Sequence, residues 1–564
     1  MPSLTKKIIR GKPYYYLRES KRVNGKPKIV STIYLGPPQR LLERLLRPAP
    51  AQVALSEFGA SAAVFALAQA LEVVATIDRH VPKRGRQGPS VGEYLLVAAL
   101  NRCIAPCSKA QIRDWYAKTA LRRLLPLAAG QLTSQRFWDN MGRVTPEHIA
   151  AIEHELARTA VARFGLDLRC LLFDATNFFT FLDSFNERAT LPQRGHSKEG
   201  RDNLRLLGLA LLVTSDGEIP LFHHTYAGNQ HDAVTFKSVA EELLARCRAL
   251  TQGAADLTLV FDKGNNSADT LAIVGASPVH FVGSLVPTQH QDLLGISRTL
   301  MRRLDTTQLP AVWAYRTRKV VFGVERTILC TFNHELFEAQ RRTLAREIRK
   351  RKRKLQQLKT RLQRRQLGAR GKAPTVEGVQ KHVQEILRGR HMVALFTVTV
   401  RNSRHHLPRL SFRFREKAYR NLAATLLGKT LIFTDRTDWS DEQIVLAYRA
   451  QYHVEAAFRR LKDPQYLTFR PTFHWTDQKL RVHAFYCVLA LMLLNLLRRQ
   501  LAQAGLPLSV VKMMDLLADI REVTLLYPAP PGSKTPFART VLSDLDPTQR
   551  NIVDVLGLER YRHS

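Results

Sequence analysis

Two short apolar runs that each end in an aspartate constrain the fold of this 564-residue chain more than any other feature. The first run, 168–173, leads into Asp174, and the second, 257–261, leads into Asp262. Such short runs are typical of buried strands. Between them lie two strand-like runs joined by a turn, and then a helical segment, 236–250. This order predicts an α/β fold in which a mixed sheet is flanked by helices.

The charge balance indicates a polyanionic partner. The chain has 86 Lys and Arg against 48 Asp and Glu, for a net charge of +38, and it repels itself unless a polyanion neutralises it. Nucleic acid is the first expectation, and an anionic membrane surface is the second. In the segment 341–372, 15 of 32 residues are Lys or Arg and only Glu347 is acidic. This run favours phosphate contact by a long basic helical arm, although charge runs can also be solvated arms.

Membrane insertion, zinc ribbons and disulfide frameworks are not expected. The longest apolar run, 484–497, is shorter than the roughly 20 residues of a spanning helix, so it predicts a buried core helix. The N-terminus has no long apolar run behind it, and no signal peptide is expected. The six cysteines are scattered and include no C-x-x-C pair.

A helix predicted over 448–462 carries one carboxylate among cations. At about 100° per residue, one face presents Tyr448, Gln451, Glu455, Arg459 and Lys462. A carboxylate can hold a divalent metal, while cations and an aromatic ring can hold phosphate and stack on a base. The face therefore suggests metal-dependent chemistry on a nucleic-acid backbone. A surface ion pair between Glu455 and Arg459 would have the same spacing.

Asp174, Asp262 and Glu455 are separated by 88 and 193 residues, so only folding can bring them together. Ligands gather at strand ends in open sheets, and acids there repel one another unless a cation neutralises them. Two Mg²⁺ or Mn²⁺ ions roughly 3.5–4 Å apart would do so, since oxygen ligands suit these metals better than zinc. Either aspartate could instead cap a turn.

Taken together, these motifs resemble bacterial insertion-sequence transposases of the DDE class, whose catalytic core is RNase H-like. Phe-Asp-Ala-Thr-Asn around Asp174 and Val-Phe-Asp-Lys-Gly-Asn around Asp262 match the first two acids. The Y-R-E-K signature of one branch spaces Tyr, Arg, Glu and Lys by two, three and six residues. In this chain that register falls on Tyr448, Gln451, Glu455 and Lys462, so a glutamine stands in place of the arginine. The stretches 194–201 and 226–232 also resemble this group, and the resemblance covers about 168–500.

The resemblance implies a DNA transposase that cleaves transposon ends with Mg²⁺ and transfers the strand into target DNA. It implies a homodimer in the synaptic complex, a cytoplasmic, nucleoid-associated location, and Asp174, Asp262 and Glu455 as the catalytic metal ligands. The expected DNA contacts are Tyr448, Gln451, Arg449, Arg459, Lys462, His196 and Lys198. His196 and Lys198 lie in a Gly-flanked polar loop that could equally be only exposed.

The predicted organisation has six regions. They are a small β unit (1–46), a helical region (47–166), the first part of the RNase H-like core (167–289), an inserted domain with the basic arm (290–428), the second part of the core (429–520) and a C-terminal tail (521–564). The helical region is typical of a bundle with a solvated charged face and equally of a DNA-end-binding module. Two other functions stay open: an RNase H-like metal-dependent nuclease without strand transfer, and a non-catalytic DNA-binding relic.

Overall fold

The computed structural model describes most of the chain. The described residues are 2–23, 26–45, 50–83, 85, 88–183, 185–195, 204–230, 232–250, 256–304, 306–367, 374–402, 407–470, 472–528 and 537–563. His196 and Lys198, both predicted to contact DNA, lie outside these residues.

The N-terminal unit is a three-stranded antiparallel sheet followed by one helix. Its elements are β1 (Pro2–Ile9), β2 (Lys12–Val23), β3 (Lys26–Gly36) and α1 (Pro38–Leu45). Asn24-Gly25, a pair that predicts a hairpin turn, lies outside the described residues.

A helical region follows. Its elements are β4 (Gln52–Glu57), α2 (Gly59–Ala70), α3 (Val73–His80), α4 (Val91–Ile104), α5 (Ile112–Tyr116), α6 (Leu121–Leu124), α7 (Ser134–Met141) and α8 (Pro146–Phe164). Ser90 and Glu93 cap the start of α4 reciprocally. The apolar spacing over 110–125 is typical of one helix, but the structure divides this stretch into α5 and α6. The Glu57 amide of β4 donates to the Lys118 carbonyl, and the Ala120 amide donates to the Glu57 carbonyl, which interrupts the helix.

The central sheet begins with the first aspartate-bearing strand. The next elements are β5 (Cys170–Phe179), β6 (Leu206–Thr214), β7 (Pro220–Ala227), α9 (Asp232–Leu250), β8 (Thr258–Phe261), α10 (Ala268–Gly275) and β9 (His280–Ser284). Strands β5, β6 and β7 form an antiparallel meander, while β8 pairs in parallel with β5 and with β9. The sheet is therefore mixed, and each apolar run is one of its strands.

The segment predicted as an inserted domain divides into two parts. The elements are α11 (Gln291–Leu294), β10 (Arg302–Arg303), β11 (Val312–Val321), β12 (Val324–Asn333), α12 (His334–Gln366), α13 (Val376–Leu387), α14 (Met392–Leu395), β13 (Phe396–Asn402), β14 (Pro408–Phe414), α15 (Glu416–Thr425) and β15 (Lys429–Thr434). Strands β10 to β12 extend the central sheet, because β12 pairs with β15 and β15 pairs with β9. The whole sheet has the order β10-β11-β12-β15-β9-β8-β5-β6-β7.

The described residues between 334 and 427, here called the lobe, form a second core of their own. The predicted basic arm is its longest helix, α12. Leu344, Leu355 and Leu362 of α12 are buried against α13 and the β13–β14 hairpin, and most of the basic side chains lie on the exposed side of the helix. The arm is therefore a packed helix with a basic face.

The remaining elements enclose the sheet and the helical region. They are α16 (Asp441–Arg449), α17 (Tyr452–Leu461), α18 (Asp477–Gln503), α19 (Val510–Ala518), β16 (Arg521–Tyr527), β17 (Phe537–Leu542) and α20 (Pro547–Leu556). Helix α18 is long and apolar enough to cross a membrane, as are α2 and α3 if they form one bent span. The apolar window of α18 is 94% buried inside the protein, as expected for a core helix.

The segment 521–564 was predicted as a C-terminal tail, but its described parts, 521–528 and 537–563, are integrated into the fold. Strand β16 pairs with β4 on one side and β17 on the other. Ile552 and Val553 of α20 are buried in the main core. The sequence pattern missed this arrangement because β4 and β16 are separated by more than 450 residues.

Candidate active site

Asp174 and Asp262 occupy equivalent positions on two neighbouring parallel strands. Phe173 of β5 is paired in register with Phe261 of β8, and each aspartate is the next residue. Both phenylalanines are fully buried and contact Phe236 of α9, with ring centroids 4.6 and 5.2 Å apart. Successive side chains alternate between the faces of a sheet. The two carboxylates therefore share the face opposite α9.

A third parallel strand, β9, places a hydroxyl beside the two carboxylates. Val260 of β8 pairs with Val282 of β9, which brings Ser284 beside Asp262. The hydroxyl of Ser284 donates a hydrogen bond to Oδ1 of Asp262, at 2.9 Å. The side-chain amide of Asn266 donates to the carbonyl oxygen of Ser284, at 2.8 Å, and ties the turn after Asp262 to the same strand.

The predicted helix over 448–462 is broken into α16 and α17 by a turn at Ala450 and Gln451. The side-chain amide of Gln451 donates to the carbonyl oxygen of Phe173, at 3.0 Å. Gln451 is only 9% exposed, and its own Oε1 is buried with no partner among the described residues. The structure thus shows Gln451, predicted as a DNA contact, fastening the helix pair to β5 one residue before Asp174.

Tyr448 faces the second aspartate. Its hydroxyl lies 3.5 Å from Oδ1 of Asp262. Burial raises the pKa of Tyr448 to about 12, and the negative charges of Asp262 and, to a smaller extent, Glu455 act in the same direction. Tyr448 is therefore a neutral phenol that donates toward the carboxylate, and its ring is held inside the site.

Lys462 reaches the first aspartate's strand from the end of α17. Its Nζ donates to the hydroxyl of Thr176, at 3.0 Å, and lies 5.4 Å from the ring centroid of Phe178. Thr176 is two residues beyond Asp174, so its side chain points to the same face of the sheet. A cation thus lies beside Asp174 and Asp262, here called the aspartate row, at a position that suits an anionic ligand.

The other predicted side chains are more peripheral. Glu455 and Arg459 are exposed on α17. Arg449 is half-buried, and burial lowers the pKa of its guanidinium. Among the residues that the structure describes, no three His, Cys, Asp or Glu side chains form a group that could hold a metal ion. Asp174 and Asp262 thus come together as a pair, while Glu455 approaches only near enough to influence Tyr448.

The donor set fits a hard divalent cation in part. Two carboxylates in register supply oxygen ligands of the kind that Mg²⁺ and Mn²⁺ prefer, and the neighbouring hydroxyl of Ser284 adds another oxygen. The third carboxylate, Glu455, is displaced from this pair in the described geometry.

Sequence reasoning missed a buried acid that holds α17 in place. Glu218, in the turn between β6 and β7, receives hydrogen bonds from His453 at 3.0 Å and from Arg460, and lies 3.4 Å from Arg498. Burial alone would raise the pKa of Glu218, but these three residues lower it to about 2. The only signal in the sequence was that His453 and Arg460 are seven residues apart, which places them on one side of the helix.

Comparison with known proteins gives distant likenesses. No family model and no curated protein matches this chain. Among solved structures, one match is a piggyBac transposase synaptic complex with hairpin DNA, with 9% identity and a TM-score of 0.37, covering 83% of this chain and 82% of that one. Another is a Mos1 transposase paired-end complex with the left transposon end, with 12% identity and a TM-score of 0.14, covering 36% of this chain and 61% of that one. TM-scores this low do not assign a fold or a function to this chain.

Proposed function

We propose that this protein is a DNA transposase, of the DDE insertion-sequence type, that cleaves the ends of a DNA element and joins them to target DNA. The observation that carries the proposal is the pairing of Asp174 with Asp262 on adjacent parallel strands, beneath Tyr448 and beside Lys462. The strand order β7-β6-β5-β8-β9, three antiparallel strands followed by two parallel ones, supports an RNase H-like core. The net charge of +38 supports DNA as the substrate.

In this proposal Asp174 and Asp262 hold Mg²⁺ or Mn²⁺, with Glu455 as the third ligand from the facing helix. A bound metal pair would supply Lewis-acid activation of the attacking oxygen and stabilisation of the leaving oxygen. Lys462 neutralises a phosphate oxygen near the cleaved end. Tyr448, held as a neutral phenol, donates a hydrogen bond within the site. Gln451 keeps the helix pair in register with Asp174 through the Phe173 carbonyl.

The test is a joining assay with a precut linear DNA that carries the sequences flanking this coding region. It is incubated with supercoiled plasmid and Mg²⁺. We expect joined products from the wild type and none from Asp262→Asn, while Asp269→Asn, a surface aspartate paired with Lys237, serves as a matched control. Cut products without joining would favour the nuclease. DNA binding that is unaffected by Asp262→Asn, with neither cutting nor joining, would favour the non-catalytic relic.

Metal binding has a readout that does not depend on activity. Mg²⁺ should raise the thermal unfolding midpoint of the wild type, because a ligand that binds only the folded state stabilises it. The same titration should give a smaller rise for Asp174→Asn and for Asp262→Asn. An equal rise in all three proteins would place the metal elsewhere.

A further inference from the structure

A second cavity, outside the aspartate site, lies at the junction of the helical region and the start of α18. Its volume is about 460 Å³. Its lining includes three cations, Arg102, Lys109 and Arg188, and no acidic residue. The cavity therefore has a positive wall that no lining residue neutralises.

The deepest cation, Arg102, is only 3% exposed. Its guanidinium donates to the backbone carbonyl oxygens of Thr468, Arg470 and Cys107, at 3.1 to 3.3 Å. Among the described residues it forms no ion pair with a carboxylate. Burial lowers the pKa of Arg102, but Tyr486 and Cys487 raise it by more. The guanidinium therefore stays charged in the cavity wall, where it can attract an anion.

Lys109 lies beside Arg102 in the cavity lining, and both cations lie over the ring of Tyr486. Its ammonium donates to the hydroxyl of Tyr486 at 2.8 Å and lies 3.1 Å from Nε2 of His474. Burial and the charge of Arg102 lower the pKa of Lys109 to about 7. Burial also lowers the pKa of His474 well below its usual value. Both shifts come first from burial and then from the neighbouring cations.

Two helices point their N-termini at the same cavity. Helix α7 begins at Ser134, and Thr476 caps the start of the 27-residue helix α18. Helix N-termini carry partial positive charge and backbone N–H groups that suit a phosphate. Together with Arg102, which is buried in the wall, they make the cavity complementary to a phosphate group.

Exposed aromatic side chains lie at and beside the cavity, since Phe473 and Trp475 line it and Phe181 contacts Phe473. Phe181, Phe473 and Trp475, here called the aromatic shelf, are between 46% and 56% exposed. The rings of Phe181 and Phe473 are 6.1 Å apart, and Trp475 is held against Trp138 at 5.6 Å. The amide of Asn186 donates to the carbonyl oxygen of Trp475 at 3.1 Å, which ties the two loops together. Exposed rings interleaved with cations are typical of surfaces that bind unpaired bases.

We propose that this cavity and the aromatic shelf bind an unpaired DNA strand. A phosphate of the strand would lie against Arg102, Lys109 and the two helix N-termini, and its bases would stack on the shelf. Duplex DNA fits the chemistry less well, because its bases are stacked on each other and cannot reach the rings. The inference deepens the proposed function by adding single-stranded DNA to the substrate, and it rests on that function only in taking DNA as the ligand.

The experiment measures fluorescence anisotropy of a short labelled single-stranded oligonucleotide and of a duplex of the same length. Trp475→Ala should raise the Kd for the single strand about tenfold, because one stacking contact is lost. Lys109→Met should raise it as well and reduce the salt dependence by about one counterion. Binding of the duplex should change by less than about twofold. Trp475 is exposed, so this variant keeps the test valid if Lys109→Met does not fold.

Matched controls come from distant surfaces: Phe537→Ala, an exposed ring on β17, and Lys237→Met, an exposed lysine on α9. Both should bind the single strand like the wild type. Equal losses for single strand and duplex, or no loss in Trp475→Ala, would overturn the proposal. Inorganic phosphate and a mononucleotide are tested as competitors at the same phosphate concentration as the unlabelled oligonucleotide. If either competes as strongly as the oligonucleotide, the cavity is a simple anion site and the proposal is overturned.

The joining assay separates this inference from the proposed function. A wild type that binds single strands through Trp475 but joins no DNA would contradict the transposase and leave the strand site intact.

Discussion

The carboxylates of Glu218 and Asp262 differ in the charges that surround them. Glu218 is enclosed by His453, Arg460 and Arg498. Asp262 receives hydrogen bonds from the hydroxyls of Ser284 and Tyr448, and it forms no ion pair among the described residues. The protein supplies the counter-charge at Glu218, whereas at Asp262 it supplies only neutral donors. A carboxylate such as Asp262, which has only neutral donors around it, can bind a cation that the protein does not itself supply.

The backbone at Glu218 strengthens this contrast. Its φ is 63°, in the left-handed region that costs a non-glycine residue about 1–2 kcal/mol. The glutamate is held there by bonds to two helices, including one from Asn495 of α18 to its carbonyl oxygen at 2.7 Å. Glu218 is thus a structural acid that fixes α17, and through it Lys462, over the aspartate row.

The largest effect is expected from Asp262→Asn. Joining of DNA should fall by about 10³-fold or more, since several kcal/mol of transition-state stabilisation would be lost. The thermal unfolding midpoint should stay the same or rise, because one of two neighbouring negative charges is removed. Joining assays and thermal unfolding measure the two quantities. Full joining activity of Asp262→Asn, or a loss of stability as large as that of Glu218→Gln, would contradict the contrast between Asp262 and Glu218.

Glu218→Gln should act on stability. The folded-state pKa of about 2 lies below the ordinary 4.5, so the ionised group stabilises the fold by roughly 3 kcal/mol at neutral pH. That contribution is complete above pH 4.5 and disappears as the pH falls toward 2. Urea unfolding at pH 7 and pH 3 should therefore show a difference between wild type and variant that shrinks in acid.

The matched control for Glu218 is Glu325→Gln. Glu325 pairs with Arg318 on the surface, where both side chains are more than half exposed. Surface pairs contribute less than about 1 kcal/mol. Similar losses of unfolding free energy in Glu218→Gln and Glu325→Gln would mean that the surrounding cations do not make Glu218 important for stability.

Exposed cations should govern the affinity for duplex DNA. Replacing Arg349, Lys350 and Arg353 of α12 by glutamine should lower the slope of log K against log salt by up to about 3, one for each lost phosphate contact. Arg498→Gln, whose guanidinium is engaged with Glu218, should leave the slope unchanged. Binding titrations at several salt concentrations measure the slope. A larger change of slope in Arg498→Gln than in the α12 variant would mean that Arg498, and not the exposed face of α12, contacts the DNA phosphates.

The smallest effect separates two cations on one helix. Lys462→Gln should slow joining about tenfold, as expected for one charge-assisted hydrogen bond, because Lys462 lies beside the aspartate row. Arg459→Gln, on the exposed side of α17, should change the rate by no more than about twofold. Single-turnover joining assays distinguish the two, and equal effects would show that position on the helix is unimportant.

Local patterns predicted the strands and helices that carry the site. The two apolar runs lie in β5 and β8. Asp174 and Asp262 are neighbours because Phe173 pairs in register with Phe261 on these parallel strands, although β5 continues beyond Asp174 to Phe179 and does not end there as expected. The signature spacing of 448–462 assumed one continuous helix. The turn at Ala450 and Gln451 changes which side chains share a face, so Gln451 is buried while Glu455 is exposed. Such a break depends on packing against β5, which periodicity does not contain.

Long-range pairings account for the rest of what was missed. Glu218, Arg102 and Lys109 have no distinguishing pattern, since their surroundings come from segments hundreds of residues apart. Nothing in the local sequence indicated that 302–333 would extend the sheet or that β16 would pair with β4. The charge density of the sequence indicated α12 and gave no sign of the buried cations Arg102 and Lys109.

The attachment of the lobe has an evolutionary consequence. Its two ends leave and re-enter the sheet on neighbouring strands, since β12 pairs with β15 and the Asn333 amide donates to the Gly428 carbonyl at 2.9 Å. A gene segment coding for 334–427 could therefore be gained, lost or exchanged at a single hairpin, with a short loop closing the gap. The aspartate row on β5 and β8 would be inherited unchanged while the lobe varied, which makes the lobe the natural place for related chains to differ.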